Sequence, residues 1–67
     1  MQVIPLSAER EIHIQKKDWK GKQYVDIRTY IKTEDYVGYT QKGVMIPLEK
    51  VRDIQDGLLR ELQTNPP

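Results

Sequence analysis

Residues 23–32 read Q-Y-V-D-I-R-T-Y-I-K and alternate between two chemically different faces, and this alternation constrains the fold more than any other feature of the chain. Successive residues of a β-strand point to opposite sides of the sheet. The apolar face of this strand carries Val25, Ile27 and Ile31. The other face carries rings and charges, namely Tyr24, Asp26, Arg28, Tyr30 and Lys32. The apolar face predicts a hydrophobic core, whereas rings interleaved with cations are typical of surfaces that bind single-stranded nucleic acid.

The length of 67 residues predicts a single domain with a small core. A domain of this size buries only about 60% of the surface of its unfolded chain. The sequence has no cysteine and one histidine, which excludes disulfides and disfavours a structural zinc site. Oligomerisation is the remaining common route to stability in so small a scaffold. We expect no metal and no cofactor.

Apolar runs in the sequence are short. None approaches the roughly 20 residues of a membrane span, and the first residues do not resemble a signal peptide. The prediction is therefore a cytoplasmic protein that does not contact the membrane.

The net charge of +1 conceals an asymmetry along the chain. Residues 10–32 contain seven Lys or Arg and three acids, whereas residues 33–67 contain four Lys or Arg and six acids. The positive charge is therefore concentrated in the first half of the chain, and such a concentration indicates a polyanionic partner.

The pattern of apolar residues and turn formers predicts an α+β fold in which four antiparallel strands precede one long C-terminal amphipathic helix. The predicted strands cover residues 11–17, 23–32, 36–40 and 44–48, and turns are predicted at residues 18–22, 33–35 and 41–43. Residues 1–9 contain Pro5 and show no sustained periodicity of apolar residues, so we expect a flexible arm. Residues 10–63 then form one nucleic-acid-binding domain, and residues 64–67 a disordered tail.

The predicted helix has an apolar stripe that is wider than one small sheet requires. Its members are Leu48, Val51, Ile54, Leu58, Leu59 and Leu62. Gly57 lies beside this stripe, where it costs about 1 kcal/mol relative to alanine, and close approach of a second backbone would explain it. We therefore expect a homodimer whose interface includes Ile54, Gly57, Leu58 and Leu62. The alternative is that the leucines pack on their own sheet and that Gly57 is a tolerated surface residue.

Three segments in order carry a resemblance to a known family. They are Trp19-Lys20-Gly21-Lys22, Val25-Asp26-Ile27-Arg28-Thr29-Tyr30 and Lys42-Gly43-Val44-Met45-Ile46, followed by a terminal helix. In this order and spacing the chain resembles the DNA-binding domain of the transcriptional coactivator p15, or positive cofactor 4, and its short bacterial relatives. The resemblance covers residues 12–62. It implies a curved four-stranded antiparallel sheet, a homodimer with packed helices, and binding of single-stranded DNA with little sequence preference.

The resemblance also implies which residues contact DNA. These are Trp19 as the stacking ring, the basic residues Lys17, Lys20 and Lys22 around it, Arg28, and Lys42. One departure concerns Ile31, because the human family member has a tryptophan there; the alternatives are that Tyr30 takes over the stacking role or that stacking at this end of the strand is reduced.

Alternative interpretations remain for several of these residues. Trp19 can instead fold back over the sheet, Tyr24 and Tyr30 can be ordinary cross-strand packing residues, and Arg28 can simply pair with Asp26. His13 has no evident partner in the sequence, and we expect it to be solvated.

Nothing in the sequence predicts an enzyme, because no spaced acid and base pair and no glycine-rich phosphate loop is present. The leading hypothesis is a single-stranded DNA-binding homodimer in transcription, replication or repair. The alternative is a protein-protein interaction module or an RNA-binding protein of the same fold, with transcription or replication proteins as partners.

Overall fold

The computed structural model describes residues 1–63 as an antiparallel sheet followed by a helix. The strands are β1 (Gln2–Pro5), β2 (Arg10–Trp19), β3 (Lys22–Lys32) and β4 (Val37–Pro47), and the helix is α1 (Val51–Gln63). One turn of 3-10 helix, Leu48–Lys50, joins β4 to α1. The strands lie in the order β1-β2-β3-β4, and every neighbouring pair is antiparallel. The predicted α+β class and strand number are confirmed; the predicted tail at residues 64–67 lies outside the described residues.

The hairpin of β2 and β3 forms the centre of the sheet. Trp19 pairs with Lys22, so only Lys20 and Gly21 form the connection. Both residues have positive φ angles, 50° and 78° respectively, which is the geometry of a type I′ turn. This turn matches the twist of the strands and fixes the register in which Ile14 pairs with Ile27.

The N-terminal segment differs from the expected arm, because Gln2–Pro5 forms β1 and pairs with β2. Val3 lies opposite His13, and Ile4 lies opposite Ile12. A strand of four residues is too short to show a period in the sequence. Pro5 suits the end of an edge strand, since it has no N–H to donate to a ladder.

The predicted third and fourth strands are one continuous strand, β4, so the turn predicted at residues 41–43 is wrong. Arg28 pairs with Gly43 and Tyr30 pairs with Tyr39, which leaves three residues of β4 opposite one residue of β3. This irregularity is a β-bulge. The predicted number of strands was nevertheless right, because the missed β1 offsets the false division of β4.

The two faces of the sheet differ as the alternation predicts. The face that we call apolar carries Ile12, Ile14, Val25, Ile27, Val44 and Ile46. The face that we call polar carries Glu11, His13, Lys17, Trp19, Lys22, Tyr24, Asp26, Arg28, Tyr30 and Tyr39. Among the described residues, Ile46 is the one buried apolar side chain, whereas His13 and Asp26 are buried on the polar face. A single chain therefore has very little hydrophobic core.

The helix α1 lies on the side of the apolar face but buries none of its own residues. An open hollow between the helix and the sheet is lined by Ile14, Val25, Ile27, Ile46, Val51, Ile54, Gln55 and Leu58. Leu58, Leu59 and Leu62 remain 66%, 50% and 81% exposed. Pro47 ends β4 in an extended conformation, and the first predicted helical turn is 3-10 rather than α. Within residues 1–63, no helix is long and apolar enough to cross a membrane.

Candidate nucleic-acid interface

Aromatic and basic side chains meet at the turn end of the β2–β3 hairpin. Trp19 pairs with Lys22, and Lys17 pairs with Tyr24 on the same polar face. Lys20 belongs to the turn between them. We call this group the hairpin-end patch: Lys17, Trp19, Lys20, Lys22 and Tyr24. The patch contains four of the seven residues predicted to bind nucleic acid.

Trp19 presents its ring to solvent instead of packing in the core. The residue is 53% exposed. Lys20 Nζ lies 4.7 Å from the centroid of the indole ring, a cation–π contact, and the ring of Tyr24 lies 6.3 Å away at an angle of 66°. These two neighbours orient the indole while leaving much of its surface available for stacking.

The lysines of the patch are exposed cations. Lys17, Lys20 and Lys22 are all exposed, and none of them forms a salt bridge to a residue within 1–63. Unpaired cations around an exposed ring create a local positive potential that attracts a polyanion.

Arg28 lies farther along the same face, where it makes four hydrogen bonds within the chain. Its Nε and Nη2 donate to the two carboxylate oxygens of Asp26 at 3.3 and 3.1 Å. Its Nη1 donates to the backbone oxygens of Thr40 and Gln41 at 3.2 and 3.4 Å. The hydrogen bonds and charge of Asp26, which is only 1% exposed, raise the pKa of Arg28 above its ordinary value. The guanidinium thus joins β3 to the bulge of β4.

Gly43 makes room for this guanidinium. A Cβ atom on Gly43 would lie 2.8 Å from Cζ of Arg28 and 2.9 Å from the backbone oxygen of Ile27. Only a residue without a side chain fits at this position beside Arg28.

His13 is buried, so the prediction that it is solvated is wrong. Its ring stacks on Tyr30 with centroids 4.6 Å apart and an angle of 13°, and Tyr39 meets both rings edge-on at 5.2 and 5.0 Å. Nε2 donates to Glu11 Oε1 at 2.9 Å, and Nδ1 lies 2.9 Å from the hydroxyl of Tyr39. Ring contacts thus join His13, Tyr30 and Tyr39 into one aromatic cluster, in which hydrogen bonds hold both nitrogens of the His13 ring.

Glu11 anchors this cluster to the opposite strand. Its second carboxylate oxygen accepts a hydrogen bond from Lys32 Nζ at 2.9 Å. The hydrogen bond from His13, followed by that from Lys32, lowers the pKa of Glu11.

A profile described as Transcriptional Coactivator p15 (PC4) matches residues 4–57, which include all four strands in whole or part and the first half of α1. The chain belongs to the PC4 family. The fold of this family is a nucleic-acid-binding one without catalytic activity. No curated protein matches the sequence significantly.

Two solved structures of a PC4 homologue from Burkholderia pseudomallei are similar to this PC4-family chain. The orthorhombic form has a TM-score of 0.86 and 26% sequence identity, and covers 97% of this chain and 89% of the homologue. The tetragonal form has a TM-score of 0.82 and 25% identity, and covers 94% of each chain. The similarity therefore extends over nearly the whole fold.

The remaining predicted site residues of this PC4-family protein lie apart from the hairpin-end patch. Tyr30 belongs to the aromatic cluster, where His13 occupies one face of its ring. Lys42 lines a separate hollow with Arg10, Thr29, Ile31, Thr40 and Gln41, and Arg10 and Ile31 belong to the apolar side of the sheet. The structure does not bring Arg28, Tyr30 and Lys42 together with the patch.

Sequence reasoning missed Glu11 and Tyr39 as partners of His13. The spacing of Glu11 and His13 was a usable signal, because residues two apart on a strand share a face. Tyr39 gave no such signal, since it lies 26 residues from His13 and reaches it only through the register of the sheet.

Proposed function

We propose that this PC4-family protein is a homodimer that binds single-stranded DNA with little sequence specificity, in transcription, replication or repair. The observation that carries the proposal is the half-exposed Trp19 of the hairpin-end patch, with Lys20 against its ring and Lys22 as its register partner. Exposed rings stack on bases of any sequence, and cations contact the phosphates, so this combination binds a strand without reading it.

Single strands are preferred because stacking requires an accessible base face. In a duplex both faces of a base are covered by its neighbours, and the ring of Trp19 would meet only the backbone. The lysines would still attract a duplex, but with a weaker, purely electrostatic interaction. The family supports nucleic acid as the ligand, and the exposed ring supports the single-stranded form.

The dimer is supported by the exposed apolar surface of α1 and the sheet. Ile54, Leu58 and Leu62 are 43%, 66% and 81% exposed, and they adjoin the open hollow above the apolar face. A second copy that covers this surface would supply the core that one chain lacks, since burial contributes about 25 cal/mol per Å² of apolar surface. A Cβ atom on Gly57 would meet nothing within 4 Å, so a partner backbone has room to approach.

The proposal is tested by fluorescence-polarisation titrations with single-stranded DNA, duplex DNA and RNA of equal length. We expect the tightest binding to single-stranded DNA, with an affinity that falls with salt at a log-log slope of about −0.7 per phosphate contacted. Equal affinity for duplex and single strands, or an affinity independent of salt, would contradict the proposed mode. Tighter binding to RNA than to DNA would change the proposed ligand while leaving the mode of binding intact.

A further inference from the structure

A hollow lies beside the hairpin-end patch, where β3, β4 and the 3-10 turn meet. It is lined by Lys22, Gln23, Tyr24, Pro47, Leu48 and Glu49. Tyr24 and Pro47 are register partners on the two strands, and Leu48 adds an apolar side chain that is 38% exposed. Ring-like and apolar walls with polar groups among them suit a nucleobase, which has flat faces for stacking and a hydrogen-bonding edge.

The hollow is continuous with the patch, because Tyr24 and Lys22 belong to both. The ring centroids of Trp19 and Tyr24 lie 6.3 Å apart, a distance that neighbouring bases of an unstacked strand can span. Lys22 is the register partner of Trp19 and also lines the hollow, so it lies where the phosphate between two such bases would pass. A strand that stacks on Trp19 would therefore place its next base at Tyr24.

Glu49 is the acidic residue that lines the hollow, and it lies in the first turn of the 3-10 helix, where a carboxylate complements the helix dipole. Its carboxylate repels phosphates, and it forms no salt bridge with any residue that the structure describes. An ionised carboxylate can only accept hydrogen bonds. The exocyclic amino group of cytosine donates one to Glu or Asp in base recognition, whereas uracil and thymine carry a carbonyl oxygen at that position, which repels a carboxylate.

We propose that this hollow is a second base subsite, in which Glu49 accepts a hydrogen bond from an exocyclic amino group and so favours cytosine over uracil and thymine. The inference rests on the proposed binding of single strands. It adds a modest base preference at one position to binding that is otherwise independent of sequence.

The test compares oligo-dC with oligo-dU of equal length, because these bases differ only around position 4 and both stack weakly. Titrations at mildly alkaline pH keep cytosine unprotonated. We expect the wild type to bind oligo-dC about three- to tenfold more tightly, the effect of one net hydrogen bond. In Glu49→Gln the ratio should approach one, because an amide can donate to the uracil carbonyl as well as accept from the cytosine amino group.

Asp53→Asn is the matched control, because it removes the same charge one turn away at an exposed position outside the hollow. It should change both affinities equally and preserve the ratio. Equal binding of the two oligomers by the wild type, or an unchanged ratio in Glu49→Gln, would overturn the subsite while leaving the proposed function standing. Failure of the wild type to bind either oligomer would overturn both proposals.

Discussion

Trp19 and Lys20 touch each other, yet in the proposed binding of nucleic acid they act through different physical interactions. The indole provides a stacking surface whose strength depends little on salt. The ammonium group 4.7 Å from its centroid provides charge, whose effect is screened by salt. The two contributions can therefore be separated by mutating one residue at a time.

Replacing Trp19 with alanine should weaken binding of single-stranded DNA by about 1 to 3 kcal/mol, with the salt dependence largely unchanged. Lys20→Asn should instead reduce the salt slope by about 0.7, the equivalent of one phosphate contact. Asparagine is the appropriate substitution because Lys20 has a φ of 50° in a type I′ turn, which asparagine followed by glycine favours. Polarisation titrations at several salt concentrations measure both quantities.

Trp19 is also the only tryptophan of the chain, so its fluorescence reports directly on stacking. Addition of single-stranded DNA should quench it in the wild type and in Lys20→Asn. If Trp19→Ala remains folded by circular dichroism and binds normally, the stacking role falls to Tyr24 or Tyr30.

Glu11 links the stability of the fold to pH. Its carboxylate accepts hydrogen bonds from His13 and Lys32, in that order of importance, and its folded-state pKa is lowered. A group with a lowered folded pKa stabilises the protein above its unfolded pKa, and this contribution is lost as the pH falls through the folded pKa. The melting temperature of the wild type should therefore fall as the solution is made acidic, and Glu11→Gln should reduce this fall. Glu34→Gln, at an exposed position in the connection before β4, should leave the acid decline as it is in the wild type.

The bulge in β4 is in contact with a residue of another strand, Arg28 of β3. Arg28 donates to two carbonyl oxygens of the bulge, and Gly43 leaves space for the guanidinium. Gly43→Ala should destabilise the protein by roughly 1 to 3 kcal/mol, the usual cost of adding atoms to a filled site. Urea unfolding measures the change. Gln41→Ala alters an exposed side chain of the same bulge and should have little effect; an unchanged midpoint in Gly43→Ala would contradict the proposed crowding.

These elements also show what the sequence can predict. The alternation over residues 23–32 predicted β3 and the composition of both faces correctly, because a long strand repeats its period several times. The segment Gln41-Lys42-Gly43 has the composition of a turn, and the bonds from Arg28 that keep it inside a strand come from another part of the chain. The burial of His13 was missed for the same reason, since Tyr30 and Tyr39 reach it from β3 and β4.

At the scale of the whole molecule, the apolar residues of α1 and the hollow beneath it remain exposed to solvent in a single chain. Leu62 is 81% exposed, so an aspartate there would cost little in an isolated chain. In a dimer the same aspartate would be buried without a partner and would be strongly unfavourable. We therefore expect the wild type to sediment as a dimer at micromolar concentrations, and Leu62→Asp to yield monomer or unfolded chain.

Leu6→Asp provides the comparison, because Leu6 is also exposed, at 59%, but lies outside α1 and the hollow beneath it. It should leave the dimer intact. A monomeric wild type, or a Leu62→Asp variant that remains dimeric and as stable as the wild type, would refute the proposed interface.

The bulge of β4 has one more consequence, for solubility. Since β4 is the last strand of the sheet, its outer edge offers backbone N–H and C=O groups to any extended chain. Because three residues of β4 lie opposite one residue of β3, the spacing of those backbone groups is irregular. An edge with irregular spacing is a poor template for another strand. The same arginine and glycine that shape the bulge thereby make this edge of the sheet a poor site for the addition of another strand.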